Sequence, residues 1–175
     1  MSSLLKNKLA LNFFLILVIA FTGKAMAQCG TSIQNGDERI STSLENYQYS
    51  NTSAGYYSLL VQTILAKNNT GEAYSLKLVY TGNIAHANLG TIAFKTNTSA
   101  VLVKQLKLEK AVKNDESTVR SKVYTVSLTA ADVEQIKNNS IALIELRYIN
   151  QLKPINIKTN DADFLKSQIN CVANL

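Results

Sequence analysis

The sequence predicts a mainly β fold: an antiparallel β-sandwich or barrel-like domain with two short helices near the C-terminus, with α+β as the alternative. Three observations carry this. Residues 56–128 hold several runs in which apolar and polar side chains alternate with period two. Polar turn signals such as Asn68-Asn69-Thr70-Gly71 and Asn97-Thr98-Ser99 separate them. Helical spacing of apolar residues appears only after Thr129.

Taken in order, residues 30–53 are polar and carry turn signals at Gln34-Asn35-Gly36-Asp37 and Asn51-Thr52-Ser53. They read as an irregular lead-in with one short element over residues 44–49. Residues 56–66 (YYSLLVQTILA) form the first strong strand, rich in side chains that suit a pleated surface. Residues 74–81 follow, with Tyr74, Leu76, Leu78 and Tyr80 on one face and Ser75, Lys77 and Thr81 on the other. The short polar connection makes these two a hairpin.

Residues 90–95 place Ile92 and Phe94 at period two. Over residues 100–109 the apolar residues lie on one face at the start and on the other at the end, so this run is expected to twist or change sheets midway. Residues 118–128 point Tyr124, Val126 and Leu128 inward. Thr129 and Asp132 have the spacing of a helix N-cap and its reciprocal acid, with Val133 and Ile136 on one face and Asn138-Asn139 as the stop. Residues 141–149 and 154–158 are further strands. Asn160 or Asp161 is expected to cap a terminal helix whose face is Phe164, Leu165, Gln168 and Ile169, running to Cys171. The pattern amounts to about seven or eight strands in one domain.

The first 27 residues read as a secretory signal. Lys6 and Lys8 precede an apolar run from Leu9 to Phe21, and Ala25-Met26-Ala27 supplies the small residues of a cleavage site. The run is too short to span about 30 Å of hydrocarbon comfortably, and the rest of the chain holds no transmembrane stretch. Cleavage after Ala27 leaves residues 28–175 as one strand-rich domain, secreted or periplasmic. It also removes Lys6, Lys8 and Lys24, so the 18 basic residues fall to 15 against 12 acidic ones. That modest surplus, without a long Lys/Arg cluster, argues against nucleic-acid binding.

Cys29 and Cys171 are the two cysteines of the chain. In an oxidising compartment an isolated pair is expected to form a disulfide, which requires Cα atoms within about 7 Å and therefore adjacent chain ends. The alternative is a lipid anchor on Cys29. Gln28 stands where a lipoprotein signal wants a small residue, and acylation would strand Cys171 as an odd thiol.

Candidate chemistry is sparse. The single histidine, His86, lies in a loop-like stretch and is the ordinary choice for a neutral-pH general base. No nucleophile motif stands near it. Asp161 and Asp163 lack the further acids and glycine of a calcium loop, so the sequence predicts neither a metal nor a cofactor. Glu145 and Arg147, two apart in an apolar strand, share a face and are expected to pair with a neighbouring strand, as a partly buried ion pair; as a sharper option, the arginine anchors an anionic ligand. Eight tyrosines against no tryptophan make Tyr56 and Tyr57 candidates for a sugar or protein contact surface. Four N-x-S/T patterns begin at Asn51, Asn68, Asn97 and Asn138. The expected function is an exported, non-enzymatic interaction or ligand-binding module with a protein or glycan partner. The alternatives are a small extracytoplasmic hydrolase using His86 and a structural or adhesive surface subunit.

Overall fold

The computed structural model describes residues 28–34, 37–52, 55–69, 71–82, 88–97, 99–112, 120–150 and 154–175. The leader expected over residues 1–27 and His86 lie outside them. The chain begins with β1 (Cys29–Gln34), β2 (Asp37–Thr42) and β3 (Glu45–Thr52). It continues through β4 (Gly55–Asn68), β5 (Gly71–Gly82), β6 (Leu89–Lys95), β7 (Ala100–Gln105), β8 (Lys107–Val112) and β9 (Arg120–Leu128). The last part holds α1 (Ala130–Lys137), β10 (Leu143–Tyr148), β11 (Ile155–Lys158) and α2 (Phe164–Ala173). The fold is mainly β, its strand pairings are antiparallel, and two helices stand near the C-terminus, as the sequence predicts.

The hairpin of β4 and β5 is the centre of a seven-stranded sheet ordered β1-β2-β4-β5-β9-β8, with β3 also on β4. Alternation works as expected: Leu59, Val61, Leu65, Leu76, Leu78 and Tyr80 are buried. Asn68 pairs with Gly71, whose φ of 132° lies in a region that a Cβ disfavours. A four-stranded sheet, ordered β11-β10-β6-β7, buries Ile92, Phe94, Ile144 and Leu146. One apolar cluster joins both sheets to Val133 and Ile136 of α1 and to Leu165 and Ile169 of α2.

The lead-in expectation is corrected. Residues 29–52 form three strands, not an irregular segment with one short element. β2 and β3 lie end to end along the same edge of β4, opposite residues 64–67 and 55–61 respectively. Their apolar signal is faint because they cover only part of the core; in β2 just Ile40 and Thr42 are buried. β1 adds to β2 and buries almost nothing.

The run over residues 100–109 does change sheets. β7 pairs with β6 in the small sheet and β8 pairs with β9 in the large one. The handover is at Leu106, whose N–H donates to the Gly90 carbonyl at 2.9 Å. This division and the lead-in strands bring the number among the described residues to eleven, above the seven or eight expected.

α1 is closed by the expected capping box. Asp132 N–H donates to the Thr129 hydroxyl at 3.2 Å and Thr129 N–H donates to the Asp132 carboxylate at 2.7 Å. α2 starts later than expected, with Asp163 at the cap position and no side-chain cap hydrogen bond. Asp161 instead shapes the preceding turn, accepting from Asp163 N–H at 3.0 Å. At the other end of α2, Cys171 is bonded to Cys29 of β1 with Cα atoms 6.0 Å apart. Beside the bridge, Val172, Ile40 and Leu65 form a second small apolar cluster.

Candidate functional site

Glu145 and Arg147 lie on β10, whose alternation sends Ile144, Leu146 and Tyr148 into the core and these two to the opposite face. The β6–β10 register sets Leu143 against Lys95 and Glu145 against Ala93, so Lys95 arrives diagonally beside Glu145. Lys95 Nζ donates to Glu145 Oε2, and Arg147 Nε donates to Oε1 at 2.7 Å. The carboxylate is thus covered from both sides: Glu145 is 5% exposed, whereas the Arg147 side chain is 56% exposed. The Lys95 hydrogen bond, opposed by burial and aided by Arg147, holds the Glu145 carboxyl below its ordinary range. A carboxylate held ionised by two cations is a weak base for proton abstraction. Its role is to fix two cations at the surface of the small sheet.

A second feature is a trough of about 550 Å³ on the outer face of the seven-stranded sheet. Its floor is the set of positions on β4, β5 and β9 that alternate with the core: Gln62, Ile64, Ser75, Lys77, Val123 and Thr125. One rim is Ser32 of β1 with Arg39 and Ser41 of β2. The other is Glu109 and Lys110 of β8, where a bulge between Leu108 and Lys110 turns both side chains toward the trough. Among the described residues three cations and one carboxylate therefore face this surface, set among hydroxyls and an amide. No single segment advertises it. The signal is the polar half of each alternation, and the strand register gathers it into one place.

Tyr47, Tyr80, Tyr124 and Tyr148 are buried, which accounts for much of the tyrosine content as core. Burial raises the Tyr124 phenol above its ordinary range, opposed by its bond with Leu89, whose N–H donates to the hydroxyl at 3.1 Å. Tyr56 and Tyr57 stand opposite Asn51 and Ser50 at the start of β4, and their side chains lie outside the description. His86 is likewise outside it. Asp163 accepts from the Ser140 hydroxyl at 3.0 Å, so the Asp161–Asp163 pair is explained by turn structure. Among the described residues no cluster of three or more His, Cys, Asp or Glu could hold a metal, and no helix is long and apolar enough to cross a membrane. No protein-family model, curated protein or solved structure matches the chain.

Proposed function

We propose that the protein is an exported, non-enzymatic binding domain whose ligand lies in the trough on the outer face of the seven-stranded sheet. The supporting observation is the trough's lining: hydroxyl and amide side chains with Arg39, Lys77 and Lys110, presented on strands held rigid by the core beneath them. Such a surface holds a ligand through many weak polar contacts. Among the described lining residues its serines have no histidine or cysteine beside them, the pairing that acyl-transfer chemistry would want. Export is supported by the signal-like leader and by the Cys29–Cys171 bridge, a bond that persists in oxidising compartments. The test is a thermal-shift screen of soluble polysaccharides and peptides against the exported protein, repeated with Ser75→Trp, which fills the trough from its floor. Binding that survives Ser75→Trp, or cleavage of a bound polymer, would overturn the reading.

One observation favours a second reading, a self-assembling surface subunit. Among the described residues β1 pairs with β2 alone, in six consecutive positions without a bulge, and it carries neither charge nor proline. Its Ile33 is 80% exposed. β8, at the other end of the sheet, is bulged and carries Lys107 and Lys110, the features that discourage edge pairing. A single monomeric species in size-exclusion chromatography across a wide concentration range would end this second reading.

A further inference from the structure

The strand register fixes how the trough's cations are arranged. Arg39 lies opposite Ala66, and Ala66 opposite Ala73, so Arg39 marks one level of the sheet. Lys77 on β5 is four residues further along that strand, level with Gln62 and Thr125. Lys110 lies opposite Val123, which is opposite Val79, two residues beyond Lys77. The strand order is β2-β4-β5-β9-β8, so each step from one cation to the next crosses two strands. Each crossing is about 10 Å, with roughly 13 Å and then 7 Å of travel along the strands. The three cations therefore form one diagonal across the trough, with steps of roughly 12–17 Å. Glu109, the one acid among the described lining residues, sits at the β8 end.

Resting on the reading of the trough as the binding surface, we propose that its ligand is a linear polysaccharide bearing carboxylate or sulfate groups, lying along the Arg39–Lys77–Lys110 diagonal. Charge selects an anion. The rest of the lining selects among anions. In the middle of a sheet the backbone groups of β4, β5 and β9 are taken up by neighbouring strands or, at Val61 and Thr63, by the Gln168 and Thr42 side chains, so a peptide gains no strand-to-strand hydrogen bonds there. Ile64 and Val123 are the apolar members of the described lining, and they offer no deep pocket for a peptide side chain. Aromatic rings, on which nucleic-acid bases would stack, are not among the described lining residues. Ser75, Thr125 and Gln62 instead present donors and acceptors to a ligand dense in hydroxyls.

The experiment is affinity electrophoresis and titration of the exported protein with polygalacturonate, dextran sulfate, neutral dextran, polyglutamate and single-stranded DNA, at low and at physiological salt. We expect retention by polygalacturonate or dextran sulfate, weakened at least fivefold by Lys77→Glu and by Lys110→Glu and weakened again by salt. Lys158→Glu, on the small sheet, should leave it unchanged, and thermal melts should show all three variants folded. Equal binding of neutral dextran, insensitive to Lys77→Glu but abolished by Ser75→Trp, would overturn the anionic class and leave the trough standing. Polyglutamate or DNA binding as tightly as the acidic polysaccharides would overturn the glycan assignment. Retention of none of these polymers would overturn the polysaccharide proposal, while binding unaffected by Ser75→Trp would overturn both it and the trough.

Discussion

Gln168 completes the hydrogen bonding of Thr63. The two are 105 residues apart and both are wholly buried. Where β2 gives way to β3, at Ser43 and Leu44, that edge of β4 lacks a neighbouring strand. Thr63 N–H donates to the Thr42 hydroxyl at 3.0 Å, and the Thr63 hydroxyl donates to Gln168 Oε1 at 3.1 Å. Gln168 Nε2 donates to the Val61 carbonyl at 3.3 Å. A helix side chain thus stands in for a piece of missing strand.

Gln168→Leu should therefore destabilise the protein by about 2–3 kcal/mol, since it leaves buried polar groups without partners. Urea unfolding checks this, with a lower midpoint and an unchanged slope as the expected outcome. Thr63→Val combined with Gln168→Leu should cost less than the sum of the two singles, because the hydroxyl that Gln168→Leu orphans is then gone.

Stability should fall in acid through Glu145 and Asp132. Lys95 holds Glu145 below its ordinary 4.5. At Asp132 burial pushes upward, but hydrogen bonds from Lys104 and Thr129 outweigh it and keep the carboxyl below 3.8. A carboxyl lowered on folding contributes fully above its unfolded value, and the contribution is lost as pH falls through the folded one. Stability should hold down to about pH 4.5 and decline below it. Glu145→Gln should flatten the acid limb in chemical denaturation measured from pH 7 to pH 2.5, and costs about 1–2 kcal/mol at neutral pH.

Thr129→Ala removes one half of the capping box of α1 and should cost about 1 kcal/mol. Asp132→Ala should cost more, because the same carboxylate also accepts from Lys104 Nζ at 2.6 Å. If thermal melts show the two variants equal, the Lys104 contact contributes nothing.

Reduction of Cys29–Cys171, or Cys29→Ser with Cys171→Ser, should lower stability by about 3–5 kcal/mol on the chain-entropy account, since the bridge closes a sequence separation of 142. Intact mass without reductant should show two hydrogens fewer than the reduced form. An added diacylglycerol mass would instead establish the lipid anchor.

The β4–β5 hairpin was legible because both strands show one face to the core and one to solvent, and Gly71 marks the turn. The change of sheets near Leu106 was legible for a related reason: the apolar residues swap faces there. β1 and β2 were not, since a strand at a sheet margin buries too little to leave a period. In the candidate sites, sequence spacing alone set Glu145 and Arg147 on one face, where they also bond to each other. Lys95, 50 residues from Glu145, and the cation diagonal both depend on register, which hydrophobic pattern fixes only once strand neighbours are known.

The Cys29–Cys171 bond also sets the path of mechanical force. Tension entering ahead of Cys29 and leaving at Leu175 crosses one sulfur–sulfur bond and four residues. Both sheets hang off that path as a closed ring, so a pull on the two ends does not peel β1 from β2. With the bond reduced, the same pull loads that pair first and releases more than a hundred residues of slack as the sheets open. A domain built this way bears load while oxidised and extends when reduced.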